Sequence, residues 1–81
     1  MKMNELMVNE MFYVEKIKAP QAEIDVLKTI GITEGKCLMI LGKGFLEGSI
    51  VVNVDDKLLQ LNPHFINEID GYLINKKTKS R

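Results

Sequence analysis

Residue types that build many functional sites are scarce in this chain. Its 81 residues include one cysteine, Cys37, and one histidine, His64. A single cysteine cannot form an intrachain disulfide, and one cysteine with one histidine cannot complete a four-ligand zinc site. No nucleophile lies in a recognisable triad context. The sequence therefore predicts a non-enzymatic protein that carries no cofactor.

Long hydrophobic runs are also missing. The longest unbroken apolar run covers residues 37–41, far short of the ~20 residues that cross a bilayer. The first residues lack the apolar centre of a secretory signal. We therefore expect a cytoplasmic protein without membrane insertion.

The formal net charge is zero, but the two signs are unevenly distributed. All 11 acidic residues precede residue 76, whereas the segment 76–81 contains lysine and arginine but no acidic residue. The acidic excess of residues 1–75 repels phosphate backbones, so we expect no nucleic-acid binding by the folded part. We interpret residues 1–75 as one small domain and residues 76–81 as a flexible basic tail.

One stretch predicts how the chain passes from a helix into the sheet. Leu27 lies on the apolar face of a predicted helix, and Gly31 follows where a helix end requires a positive φ. Ile32 comes next, at the position that packs back on the last helical turn in a Schellman cap. Gly35 is a turn residue that starts the next strand.

Alternating β-branched and aromatic residues predict five short strands, at residues 11–17, 36–43, 48–54, 57–61 and 68–74. A helix at 21–30 lies between the first two strands, and 64–66 form a helical turn before the last. The predicted inward residues are Phe12, Val14, Ile17, Leu38, Ile40, Ile50, Val52, Val54, Leu59 and Leu61. The last strand is expected to pair with the first through Ile69, Tyr72 and Ile74. Short strands with brief connections predict an all-β fold, a closed or nearly closed SH3-like barrel, because closure removes exposed edges.

Polar features of the chain favour structural interpretations. The glycine-rich loop at 42–48 lacks P-loop spacing and is predicted to be a hairpin loop. The acidic pair at 55–56 is predicted to be a two-residue hairpin turn. Cys37 lies in an apolar strand, so we expect a buried thiol. His64 and Glu68 share a helical face, but two ligands are too few for a metal within one chain, although a site shared between subunits stays open.

Some apolar residues alternate away from the predicted core: Met39, Leu41, Val51 and Leu58. Two interpretations stay open for this set. It forms a partner-binding surface, because contiguous exposed apolar patches mark docking sites, or the helix and the first loop cover it.

A longer pattern combines these elements over residues 6–75. It comprises Leu27, Gly31-Ile32 and Gly35, then Gly48-Ser49-Ile50, Val52, Val54, Leu59, Leu61 and Ile69. This pattern resembles the FeoA family, small accessory proteins of bacterial ferrous iron transport. The resemblance implies an SH3-like fold, no catalysis, and a cytosolic partner in the GTPase domain of a membrane transporter.

The same resemblance leaves a second function open. FeoA proteins are similar in fold to the C-terminal domain of iron-dependent repressors, which implies a metal-responsive module associated with a transcriptional regulator. The oligomeric state also stays open, a homo-oligomer included.

Overall fold

Five antiparallel strands form a single sheet in the computed structural model, which describes residues 1–74. Their order in the sheet is β4-β3-β2-β1-β5. After a 3₁₀ turn at Met3–Glu5, the elements are β1 Met11–Ile17, α1 Gln21–Thr29, β2 Cys37–Lys43, β3 Ile50–Val54, β4 Lys57–Leu61, α2 Pro63–Glu68 and β5 Ile69–Ile74. The predicted strands and the intervening helix are confirmed, while the predicted tail at 76–81 lies outside the described residues.

The element bounds differ from the predicted ones by a few residues. Gly48 and Ser49 belong to the loop before β3, and Glu68 ends α2 instead of starting the last strand. The predicted helical turn is a six-residue helix. Pro20 is the N-cap of α1 and directly precedes its first residue, Gln21.

The sheet is open at its two ends. Within residues 1–74, β4 pairs with β3 and β5 pairs with β1, and the two end strands do not pair with each other. The chain connects these ends through α2. Only the cap Asn62 separates α2 from β4, and β5 follows α2 directly. Bulges at 14–16 and 40–42 interrupt the ladders, and bulges bend strands and increase their twist. The fold is a small SH3-like sheet without hydrogen-bonded closure in this part of the chain.

The core lies on one face of this sheet, called here the inner face. Phe12, Val14, Leu38 and Val52 are 0% exposed, as the alternation of side chains along a strand requires. The bulge after Val14 returns Ile17 to the same face, where it is buried. The predicted inward set is confirmed, and Leu59 is half-buried against it.

The helix stop predicted from the sequence has the geometry of a Schellman motif. Gly31 has φ 98°, and its N–H donates to the carbonyl of Lys28 at 3.0 Å. The N–H of Ile32 donates to the carbonyl of Leu27 at 2.9 Å. Leu27 and Ile32 are both 0% exposed, so the apolar contact that accompanies this cap is also present. Gly35 then donates to the carbonyl of Val14 at 2.7 Å, which ties the turn to β1.

The β3–β4 hairpin and the start of α2 also follow local rules. Asp55 and Asp56 have φ 53° and 64°, the positive values that a two-residue type I′ turn requires. Asn62 caps α2 by accepting a hydrogen bond from the N–H of Phe65 at 3.1 Å. Pro63 occupies the first helical position. A backbone N–H at this position has no intrahelical partner, so proline, which lacks the N–H, costs the helix no hydrogen bond.

The N-terminal segment contributes to the core in a way that the sequence did not indicate. Met3, in the 3₁₀ turn, is 0% exposed. Next to it, Lys2 Nζ lies 2.5 Å from Asp70 Oδ1, and Lys18 Nζ lies 3.1 Å from Asp70 Oδ2. The ion pair of Lys2 holds the segment against β5, and that of Lys18 joins the end of β1 to the same carboxylate.

Candidate functional site

The face of the sheet opposite the core, called here the outer face, carries a row of side chains across all five strands. Leu58 of β4 pairs with Asn53 of β3, which pairs with Met39 of β2. Met39 pairs with Met11 of β1, which pairs with Ile74 of β5. Directly opposed residues have Cβ atoms about 4.5–5.5 Å apart. Four apolar side chains and one asparagine therefore form a continuous row.

A second row lies beside the first. Tyr13 of β1 pairs with Cys37 on one side and with Tyr72 on the other. The two tyrosine rings are stacked, with centroids 5.0 Å apart and planes 28° apart. Tyr72 remains 48% exposed, so this end of the outer face presents an aromatic pair to solvent.

The structure places the four predicted partner-binding residues on one part of this face. Leu58 is 68% exposed, and Met39 and Val51 are half-buried. Leu41 lies in the β2 bulge, next to Gly42, which pairs with Val51. Their position on the outer face agrees with the alternation argument, and their role in binding stays a prediction.

Helix α1 does not cover this face, as the second of the two interpretations required. Its apolar residues Ile24, Leu27 and Ile30 pack into the inner core. The prediction of a buried thiol is also wrong, because Cys37 is exposed. Strand β2 is apolar on both faces, and only a covering layer on the outer face would have buried Cys37.

A separate cluster of polar side chains lies between α1 and α2. His64 Nε2 lies 2.9 Å from Glu23 Oε1 and 3.3 Å from Glu68 Oε2. Glu23 comes from the first turn of α1, while His64 and Glu68 are one turn apart on α2. One donor atom from each residue lies within 4.8 Å of the other two. We call these three residues the interhelix cluster.

The charges in the interhelix cluster influence one another. The hydrogen bond with Glu68, together with that to His64, lowers the pKa of Glu23. Burial, followed by the hydrogen bond with Glu23, raises the pKa of Glu68. The hydrogen bond with Glu23 also raises the pKa of His64. The pKa shifts of the two carboxyl groups are opposite in direction, so Glu68 holds a proton more readily than Glu23.

Sequence reasoning identified only two members of this cluster. It found His64 and Glu68 because residues four apart share a helical face. It missed Glu23, which lies 41 residues before His64 and carries no local signal beyond its place in the first turn of a helix. Only the packing of α1 beside α2 brings the third carboxylate to the pair.

The loop between β2 and β3 forms one wall of a groove. The N-terminal segment forms the other wall, and the groove has a volume of about 600 Å³. The loop is closed by a hydrogen bond from the N–H of Gly44 to the carbonyl of Ser49 at 2.8 Å. Phe45 projects from it and is 94% exposed. This is the predicted hairpin loop.

The strand order and the helix between the first two strands together define a small SH3-like domain. Comparison with known families is more specific. The FeoA domain family matches residues 1–70, and the chain belongs to this family, which is associated with ferrous iron transport. FeoA domains are not a known enzyme family.

Solved structures show the same fold. The solution structure of iron(II) transport protein A from Clostridium thermocellum has a TM-score of 0.83 at 16% identity, covering 91% of this chain and 46% of that one. The FeoA protein from Chlorobium tepidum has a TM-score of 0.80 at 25% identity, covering 93% and 71%. A crystal structure described as iron uptake regulatory protein (FeoA) has a TM-score of 0.77 at 15% identity, covering 90% and 95%.

The chain spans about half the length of the Clostridium thermocellum protein, and none of the curated proteins matches it significantly. Neither helix within residues 1–74 has the length and apolarity needed to cross a membrane.

Proposed function

We propose that this protein is a non-enzymatic, cytoplasmic accessory module of a bacterial ferrous iron transport system. It acts by docking on the cytosolic GTPase domain of the membrane transporter. Membership of the FeoA family supports the link to ferrous iron transport. The outer face supports the docking role, and the apolar row across the five strands is the observation that carries it.

The composition of the outer face suits a protein partner. Leu58 and Tyr72 are 68% and 48% exposed, and large apolar and aromatic side chains supply most of the binding energy in protein interfaces. Met39 and Met11 stand between them in the sheet, and methionine adapts its shape to a partner surface. The acidic excess of residues 1–75 argues against a nucleic-acid partner.

The test is a binding measurement with the soluble GTPase domain of the transporter. Leu58→Asp and Met39→Asp place a charge in the outer face, and we expect each to weaken binding at least about tenfold, as loss of a central contact does. Phe45→Asp is the matched control, because Phe45 is 94% exposed but lies in the β2–β3 loop. It should bind like the unmodified protein.

Circular dichroism establishes that each variant is folded before binding is compared. The docking proposal is wrong if the unmodified protein does not bind the GTPase domain. It is also wrong if folded Leu58→Asp and Met39→Asp bind with unchanged affinity, since the outer face would then lie outside the interface.

A further inference from the structure

We propose that the interhelix cluster, Glu23, His64 and Glu68, is a binding site for one divalent first-row transition-metal ion. One donor atom from each residue lies within 4.8 Å of the other two. His64 Nε2 is 2.9 Å from Glu23 Oε1 and 3.3 Å from Glu68 Oε2. Ligands held about 2.0–2.2 Å from an ion are themselves about 3.0–3.5 Å apart in tetrahedral or octahedral geometry. The two distances from His64 Nε2 are therefore close to the separation that a shared ion requires, and the Glu23 and Glu68 donors lie within 4.8 Å of each other.

The donor types indicate the class of ion. An imidazole with two carboxylates suits ions such as Fe²⁺, Mn²⁺, Co²⁺ and Zn²⁺. Mg²⁺ and Ca²⁺ prefer sites made of oxygen atoms only, so the imidazole disfavours them. Three protein ligands leave coordination positions for water, and such an open site exchanges its ion more readily than a closed four-ligand structural site.

The charge balance of the cluster also favours a cation. Within residues 1–74, His64 is the only basic side chain in ion-pair contact with Glu23 or Glu68. Oε1 of Glu68 is buried and has no hydrogen-bond partner in this part of the chain. A buried carboxylate oxygen without a partner is unfavourable. A divalent ion would neutralise the excess negative charge and could take this oxygen as a second ligand atom from the same carboxylate.

The backbone on the α2 side holds two of the ligands in place. Asn62 caps this helix and Pro63 fixes its first turn, so His64 and Glu68 project together one turn apart. The ring of Phe65 contacts the imidazole edge-on, with centroids 5.6 Å apart. The Glu68 side chain is 15% exposed, while those of Glu23 and His64 are 33% and 61% exposed. An ion can therefore enter from the His64 side, with Glu68 at the base of the site.

Binding is measured on the full chain carrying Cys37→Ser, which removes the exposed thiol as a competing ligand. The probes are Mn²⁺, followed by loss of the free-ion electron paramagnetic resonance signal, and Co²⁺, followed by its visible absorption. We expect one saturable site per chain and a rise in the unfolding temperature when the ion is present, because an ion that binds the folded state stabilises it by mass action.

The ligands are tested by Glu23→Gln and His64→Asn, with Glu47→Gln as the matched control in the exposed β2–β3 loop. The first two variants should bind Mn²⁺ at least about tenfold more weakly, because even the loss of a group that only orients a metal ligand weakens binding by that much. They should also lose the rise in unfolding temperature. Glu47→Gln should bind and be stabilised as before. Cluster variants that remain folded but keep full Mn²⁺ affinity would overturn the proposal, as would absence of saturable binding of both ions by the Cys37→Ser protein.

This site is independent of the docking proposal. None of the three ligands belongs to the outer face, and the metal titrations need no partner protein. A protein that binds Mn²⁺ but not the GTPase domain would refute docking alone. A protein that docks but binds neither ion would refute the metal site alone.

Discussion

Leu38 and Met39 are neighbours on β2, but they lie on opposite faces of the sheet and have different surroundings. Leu38 is 0% exposed and joins a core that α1 covers through Leu27. Met39 lies in an apolar row of the outer face that ends at Leu58, which is 68% exposed. Both faces of β2 are apolar, yet within residues 1–74 only the inner one is covered by a helix. A sheet of this kind has a second apolar face available for another molecule.

The largest effect on stability should come from the inner face. Phe12→Ala removes a side chain that is 0% exposed, and such truncations reduce the free energy of unfolding by about 3–5 kcal/mol. A domain of this size has only about 3–5 kcal/mol in total, so we expect the variant to be largely unfolded at 25 °C. Circular dichroism and urea titration measure this, with Phe12→Leu as a milder substitution that should remain folded. A Phe12→Ala protein as stable as the unmodified one would show that the inner face is not the core.

The helix stop that closes the inner face should give a smaller effect. Gly31 has φ 98°, and a Cβ there would come no closer than 3.9 Å to Asp55 Oδ2. Gly31→Ala should therefore destabilise through backbone strain alone, by about 1–2 kcal/mol. Gly31→Asn is the comparison, because asparagine tolerates positive φ better than alanine. Equal unfolding midpoints for the unmodified protein and Gly31→Ala would contradict this account of the Schellman cap.

The polar edge at β5 should respond to acid. Hydrogen bonds from Lys2 and Lys18 lower the pKa of Asp70 from 3.8 to about 2. A carboxylate whose pKa is lower in the folded than in the unfolded state stabilises the fold above its unfolded pKa, and this contribution is lost as the pH falls from 3.8 towards 2. Urea titrations between pH 5 and pH 2 should show a shallower loss of stability for Asp70→Asn than for the unmodified protein. Parallel curves would show that these ion pairs do not contribute.

The outer face should give the smallest effect on stability. Leu58 is 68% exposed, and substitutions at such surface positions usually change the free energy of unfolding by less than about 0.5 kcal/mol. Leu58→Asp should therefore unfold at nearly the same urea concentration as the unmodified protein. Together with the binding test, this result separates the two faces, because we expect the inner face to carry stability and the outer face to carry recognition. A large loss of stability in Leu58→Asp would show that the outer face is part of the folded core.

Features with a local cause were predictable from the sequence. The stop at Gly31, the turn at 55–56 and the cap at Asn62 depend on residue types that favour a particular φ or a hydrogen bond within a few positions. The inner face was predictable because a period of two puts Ile50, Val52 and Val54 on one side of a strand. These signals place the strands nearly at their observed bounds.

Features that depend on distant contacts were not predictable in the same way. Met3 is buried because the first turn packs near β5, where Lys2 contacts Asp70, 68 residues later in the chain. Cys37 is exposed because no helix of the described residues packs against the outer face, and nothing within β2 indicates this. The metal-site prediction stopped at two ligands because Glu23 and His64 are 41 residues apart.

By itself, the sequence determined where the chain turns, where its helices are capped and where apolar and polar residues alternate. Short-range sterics and hydrogen bonding specify each of these features. Together they determined the SH3-like sheet and its inner face. Only the tertiary structure decided which apolar face stays uncovered and which carboxylate joins His64 and Glu68. The reason is physical: coverage of a face and convergence of side chains depend on how whole elements pack, and packing sums weak contacts between residues that are far apart along the chain.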